Sequence, residues 1–323
     1  MSDNTFVIAM PRFALSGGNL VSYHLGLSLQ SKGYTVICDS GFSVKNISEV
    51  ELLKSNKGIV GTVLNLLSFL LLSVHAVFYK NYISTHHLTS LFNFIRRCKF
   101  CFVQDIECEF YPKSFKWLGN YFWNNYLCAE NLIFTNKILA KKLGYEVGDI
   151  GFPYIDIPSI EQYEKKYDAV LILRDGDYKN PLKTYEVFKS VKELGHKAIL
   201  INASKRMIED AGVINNLNRN DFIKTLSMSN CFICLSDWEG LGLPNLEAYA
   251  LGLNVISTSI PSAILLKEFD EKCVNIFDGV IDSAMIRDNL NEIDVKTRVS
   301  FLKFESEKWF KYACNKITQA SKN

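Results

Sequence analysis

Residues 236–259 read SDWEGLGLPNLEAYALGLNVISTS, with seven residues separating Glu239 from Glu247 and Gly240, Gly242 and Pro244 between them. The run before this stretch, CFICL (231–235), is apolar throughout and of strand length. After it, PNLEAYAL (244–251) spaces its apolar side chains as a helix does. Pro244 suits the first helical position and Gly252 the end. The stretch is therefore a loop leaving the carboxyl end of a strand and entering a helix. Gly240 and Gly242 let the backbone turn tightly and bring amides close to a ligand. Amides at a helix start, with the helix dipole, favour an anion.

Two acids are odd company for an anion unless they hold something neutral beside it. Glu247 and Glu239 can accept hydrogen bonds from hydroxyls at opposite ends of the loop. Hydroxyls, a phosphate and more hydroxyls describe a nucleotide sugar. RDGDYK (174–179) follows the strand-like run AVLIL and puts Arg174 and Lys179 on the corresponding loop of the same domain. Each charge-assisted contact to phosphate contributes about 1.5–3 kcal/mol. Gly17 and Gly18, after the first strand, offer a third place for close backbone approach.

Outward from this loop the chain alternates strand-like and helical runs. FVIAM (6–10), TVICD (35–39), YIST (82–85), FCFVQ (100–104) and LIFT (132–135) form one series, with helical stretches after SGG (16–18), after YIST and after LIFT. AVLIL, AILIN (198–202), CFICL and VISTS (255–259) form a second, with a helix from Pro181. GDIGFPYIDIP (148–158) interrupts the two and is followed by a charged segment expected to be helical. Such alternation predicts parallel sheets covered on both faces. Ligands bind at the carboxyl ends of the strands in sheets of this kind.

Composition agrees and narrows the partners. The 323 residues are 48 % hydrophobic and 22 % charged, with a net charge of +2, too small to imply a nucleic-acid partner. Residues 1–155 carry 14 Lys and Arg against 10 Asp and Glu, a +4 balance that suits a membrane or an anionic substrate. No signal peptide is read at the start, and nine cysteines, an odd number, fit reduced thiols in the cytoplasm. Cys98/Cys101 and Cys231/Cys234 lie in strand-like runs and read as core thiols rather than zinc or redox motifs.

Residues 59–78, IVGTVLNLLSFLLLSVHAVF, just reach the length of a membrane span. Their expected place is inside the first domain, with an exposed helix resting on a bilayer as the alternative. His86 and His87 read as loop or core histidines. Asp175 and Asp177 read as solvated loop acids, and no divalent metal is expected. The rings of 110–126 are expected mostly in the core.

The sequence resembles retaining glycosyltransferases of family 4, which have the GT-B fold. EGLGLPNLEAYALGLNVIST carries the acid–seven–acid pattern, RDGDYK the basic pair, and ALSGGNLVSYHLGLSLQSKGYTVICDS the first loop and helix. The resemblance implies two Rossmann-like doubly wound α/β domains facing a central cleft. These are an acceptor domain (1–152), a nucleotide-sugar domain (153–304) and a C-terminal helix (305–323) crossing back. It implies that Glu239 contacts the donor sugar and Glu247 the ribose. Arg174 and Lys179 hold the diphosphate, with the backbone of Gly240, Leu241, Gly242 and Leu243 and the Gly17–Gly18 pair completing the donor site. Gln104 and Asp105 stand where the family often has His-Asp or His-Glu, as catalytic candidates beside Glu239.

The activity so implied is retaining, metal-independent, hexosyltransferase-type transfer from a nucleotide-diphosphate sugar, without a cofactor. The acceptor is a polysaccharide or lipid-linked oligosaccharide. VQDIECEFYP is similar to members that build bacterial surface polysaccharides, O-antigen or capsule, rhamnosyltransferases among them. The expected location is cytoplasmic, peripheral on the plasma membrane. The competing class is a non-catalytic subunit of this fold that binds nucleotide within a transferase complex.

Overall fold

The computed structural model describes residues 4–53, 58–155, 157, 163–287 and 294–321. They divide into one unit of Met1–Ile155 with Glu305–Asn323, and another of Asp156–Phe304.

The first unit holds strands β1 (Thr5–Ala9), β2 (Thr35–Asp39), β3 (Val44–Asn46), β4 (Tyr82–Ser84), β5 (Phe100–Val103) and β6 (Asn131–Phe134). Its helices are α1 (Gly17–Ser31), α2 (Ile59–Phe78), α3 (Lys116–Leu127) and α4 (Lys137–Lys142). The sheet order is β3-β2-β1-β4-β5-β6. Every residue of β1 and β5 is buried, which is why those strands read as unbroken apolar runs. Ser16 starts α1 by accepting the Asn19 amide, and Gly33 leaves it at φ 87°.

The second unit holds β7 (Tyr167–Leu173), β8 (Ala198–Asn202), β9 (Val213–Asn215), β10 (Ser229–Cys234), β11 (Asn254–Ser257) and β12 (Val274–Ile276). They lie in the order β12-β11-β10-β7-β8-β9, all parallel. Its helices are α5 (Pro181–Glu193), α6 (Arg219–Ser227), α7 (Leu243–Ala250), α8 (Pro261–Phe269) and α9 (Ser283–Arg287). Helix α10 (Val295–Ser321) begins in this unit, where Phe301 stacks on Phe269 with centroids 3.8 Å apart. Its later part belongs to the first unit. There buried Trp309 donates to the Phe134 carbonyl at 2.9 Å, and Ser306 Oγ donates to Tyr154 O at 3.0 Å.

Several expectations need correction. The first sheet is not wholly parallel, since β3 pairs antiparallel with β2, Ile37 opposite Asn46. No α-helix follows β4. His87–Thr89 make a single 3-10 turn, and polar side chains then take the backbone groups a helix would use. Thr89 Oγ1 donates to the His86 carbonyl at 2.7 Å, and the Leu91 amide donates to Ser73 Oγ at 3.1 Å. The helix expected after Pro158 falls partly outside the described residues, and 163–166 are not helical.

Helix α2 is formed where expected but is not packed inside the unit: only 28 % of its most apolar window is buried. The ring-rich segment is also divided. Trp123 and Tyr126 are buried, whereas Phe115, Trp117 and Tyr121 are exposed. All nine cysteines are free thiols, eight of them buried.

Candidate active site

In the second sheet the strand order reverses between β7 and β10, so the loops leaving these two neighbours open beside each other. Arg174 leaves β7, and Lys179 ends a 3-10 turn, Asp177–Lys179. Glu239 sits in the loop leaving β10. The two loops are tied by the Asp237 amide donating to Tyr178 O at 2.8 Å and by Asn180 Nδ2 donating to Leu235 O at 2.9 Å.

Arg174, Lys179 and Glu239 meet at this switch. Arg174 Nη2 donates to Glu239 Oε1 and Lys179 Nζ to Glu239 Oε2, so the carboxylate bridges two cations. Ser236 Oγ donates to Glu239 Oε1 at 2.9 Å and accepts from Arg174 Nη2 at 3.3 Å. Burial raises the Glu239 carboxyl pKa, but the guanidinium and ammonium outweigh it and hold the group below its ordinary range. For Arg174, burial works against the charge, and the carboxylate reverses that, keeping the guanidinium protonated. The buried Arg174 Nε has no hydrogen-bond partner.

Gly242 precedes α7 at φ 94°, a conformation L side chains rarely adopt. A Cβ there would lie 2.6 Å from Ser262 Oγ and 2.8 Å from the tip of Ile260. Leu241 is buried and accepts the Ser262 amide at 2.8 Å, and Leu243 begins the helix. Pro244 is thus its second residue, and Glu247 lies one turn in rather than in the first turn.

Glu247 is buried, with Oε1 accepting from Arg219 Nη2 at 2.6 Å and Oε2 unpartnered. Asn245 Oδ1 and Ser262 Oγ, also buried, lack partners too. A buried polar atom left unsatisfied costs about 1–3 kcal/mol. Four such atoms, on Arg174, Asn245, Glu247 and Ser262, are candidates to receive a polar ligand.

Arg219 is the residue sequence reading missed. Asn218 caps α6 by accepting the Asp221 amide at 2.9 Å, which sets Arg219 at the first helical position. Nothing in the spacing links Arg219 to an acid 28 positions away. Asp175 and Asp177, between the two cations, are exposed.

In the first unit the structure joins two further candidates. A Cβ on Gly18 would meet Gln104 Oε1 at 2.9 Å, and Gln104 Nε2 donates to Thr85 O at 3.0 Å. Gly17 is exposed beside them. Asp105 Oδ1 accepts the Ile106 amide at 2.8 Å, a local turn contact.

Nearby, His86, His87 and Glu107 bring ligand atoms within 4.8 Å of one another. Several of these atoms already have partners. Glu107 Oε2 takes the His87 amide at 2.6 Å and Nδ1 at 2.8 Å, His87 Nε2 meets Tyr111 Oη at 2.8 Å, and His86 Nδ1 accepts the Leu88 amide at 3.1 Å. These bonds form a cluster that braces the loop.

Two Rossmann-like parallel-sheet units, with a basic and acidic cluster at the switch of the second, define the class: the fold is that of GT-B glycosyltransferases. Over 98 % of the chain it matches Anabaena HepE in complex with UDP-glucose, covering 98 % of that chain at TM-score 0.60 and 11 % identity. It matches the lipopolysaccharide outer core galactosyltransferase WaaB over 98 % and 99 % of the two chains, at 0.59 and 12 %. Sucrose-phosphate synthase from Thermosynechococcus elongatus aligns over 98 % and 94 %, at 0.57 and 11 %. Residues 155–264 match the family described as "Glycosyl transferases group 1". That span contains Arg174, Lys179, Arg219, Glu239 and Glu247. No curated protein sequence matches the chain.

Proposed function

We propose that the protein is a retaining glycosyltransferase that moves a sugar from a nucleotide-diphosphate donor to a glycan or lipid-linked oligosaccharide acceptor. What carries the reading is the pairing of Arg174 and Lys179 with Glu239, amid buried polar atoms that lack partners. Two cations on adjacent loops suit a diphosphate, whose charge grows as the glycosidic bond breaks. Glu239, beside them, suits the sugar hydroxyls, and the unpartnered Oε2 of Glu247 suits the ribose. Backbone from Gly240 to Leu243 completes the donor site. In the first unit Gly17 and Gly18 are read as donor-binding, and Gln104 and Asp105 as catalytic candidates.

Neither glutamate is the nucleophile. The leaving phosphate takes the acceptor proton on the same face of the sugar, which keeps the anomeric configuration, and Arg174 and Lys179 supply charge that a metal would otherwise bring. Family and neighbours support the transferase class. WaaB's role as a lipopolysaccharide outer core galactosyltransferase and the VQDIECEFYP resemblance favour a bacterial surface polysaccharide as product, O-antigen or capsule, with rhamnose among the sugars to test. Unpaired thiols and a nucleotide-sugar donor suit the cytoplasm.

The test is a thermal-shift screen with UDP-, GDP- and dTDP-sugars, followed by assay of nucleotide release when glycan acceptors are added in the presence of EDTA. Donor-dependent release with the anomeric configuration retained is expected. Binding without release on any acceptor would instead make the chain a nucleotide-binding subunit.

A further inference from the structure

Helix α2 turns its most apolar face to solvent. Ile59, Val63, Leu66, Leu70, Val74 and Phe78 recur at three- and four-residue spacing and are all exposed, Ile59 by 85 % and Phe78 by 74 %. No Lys, Arg, Asp or Glu occurs among residues 59–78. The buried stripe opposite is small and partly polar: Gly61, Ser68, Leu72, Ser73 and Ala76.

That stripe is stitched to the unit. Ser68 Oγ donates to Ser40 O and Ser73 Oγ to Leu88 O, both at 2.7 Å. His75 Nδ1 lies 2.7 Å from Asp39 Oδ2, and Arg12 Nη1 donates to Gly61 O at 3.1 Å. A helix crossing a bilayer would have to abandon these bonds or carry their groups into hydrocarbon. Held as it is, α2 offers an apolar ridge about 30 Å long that lies along the surface of the unit.

Positive charge adjoins the end of that ridge. Arg96 Nη1 donates to Val77 O at 2.8 Å, which pins the guanidinium to the last turn of α2. Arg96, Arg97, Lys80 and Lys99 line one cavity of about 530 Å³, with Glu130 as the acid among them. Phe94 and Ile95, exposed by 66 % and 64 %, precede the two arginines.

We propose that this face docks on an anionic bilayer, with α2 in the plane of the interface, its ridge among the acyl chains and the Lys80–Arg96–Arg97–Lys99 cluster against lipid phosphates. Apolar and cationic surface side by side match the layered chemistry of an anionic membrane. A second copy of this chain would meet the cluster with like charge wherever the two faces mirrored each other. The inference stands apart from the donor reading, since none of these residues belongs to that site.

Flotation of the whole protein tests it, using vesicles of phosphatidylcholine alone or mixed with phosphatidylglycerol. The protein is expected to float with the mixed vesicles and to be released as salt rises from about 0.1 M to about 1 M, as screening shortens from about 10 Å to 3 Å. Leu66→Asp with Leu70→Asp should lower the bound fraction at least roughly tenfold by removing apolar contact. Arg96→Glu with Arg97→Glu, both exposed, should weaken binding to the anionic vesicles while circular dichroism and the nucleotide thermal shift stay unchanged. Failure to float at low salt overturns the proposal. So does a dimer seen by light scattering that Leu66→Asp dissociates while vesicle binding is absent.

Discussion

Arg174 and Glu239, 65 positions apart, form an ion pair across the loops that leave β7 and β10, with Lys179 on the carboxylate's other oxygen. The side chain assigned to sugar and those assigned to diphosphate are therefore bound to each other in the protein alone. If the two cations hold the diphosphate, as proposed, it would have to displace the Glu239 carboxylate from them, which would leave Glu239 to the sugar hydroxyls.

Glu239→Gln should therefore bind free nucleoside diphosphate at least as tightly as the natural protein, because a competing anion has been removed. Its turnover should fall about 10²-fold if ~3 kcal/mol of transition-state contact is lost. Calorimetry with UDP, GDP and dTDP, beside initial rates, gives both quantities. Weaker nucleotide binding with unchanged turnover would reverse the orientation of the donor.

Glu247→Ala should weaken donor and free nucleotide alike, about tenfold for a loss of ~1.4 kcal/mol. Arg219 is 42 % exposed but Glu247 is buried, so Arg219→Ala leaves a buried carboxylate without this partner and should cost about 1–3 kcal/mol of stability as well as altering nucleotide affinity. Unaltered affinity for all three nucleotides removes Arg219 from the site.

Two pH windows follow from opposite corners of the chain. Glu239 has a depressed carboxyl pKa, so its stabilising contribution is present above the ordinary value of 4.5 and is lost as pH falls through the lower folded value. The melting-temperature difference between the natural protein and Glu239→Gln should hold from pH 8 to about 5 and close below that. His86 differs. Burial lowers its pKa to about 4, with Glu107 opposing and His87 adding to the effect. The unfolded chain then takes up the proton first, so stability is complete above 6.5 and declines as pH falls from there to about 4. His86→Gln should flatten that decline, and an unchanged slope would show that the imidazole charges freely in the fold.

Arg298 is fully buried at the start of α10. Its Nη1 donates to Leu253 O at 3.1 Å, its Nε lies 3.7 Å from Asp270 Oδ2, and its guanidinium sits 4.6 Å over the Tyr249 ring. Truncation leaves a buried carboxylate uncompensated, so Arg298→Ala should destabilise the second unit by about 3–5 kcal/mol. Arg298→Ala with Asp270→Asn should recover part of that loss in thermal melts. No recovery would place the cost in packing against Tyr249 rather than in charge.

The motifs were legible because each is local. The Glu239–Glu247 segment, its glycines and the strand before it lie within about thirty residues. Periodicity alone shows strand, loop and helix there. Short edge strands such as β3 and β9 were not legible. Three residues carry no period, and β3, wholly exposed, has no apolar face to announce it.

The sequence by itself determined that this chain alternates strands and helices in two series, and that an apolar helix spans residues 59–78. It also placed Arg174, Lys179 and Glu239 of the candidate donor site on loops after strands, and Glu247 in the helix that follows. Only the tertiary structure decided which groups meet. The reversal of strand order between β7 and β10 closes Glu239 onto Arg174 and Lys179, and the packing of α6 beside α7 brings Arg219 to Glu247. Only the fold, likewise, showed which face of α2 looks outward. Hydropathy ranks side chains but does not register that Ser68 and Ser73 find backbone acceptors in the unit. Those hydrogen bonds hold the polar stripe inside and leave Leu66, Leu67 and Leu70 in water.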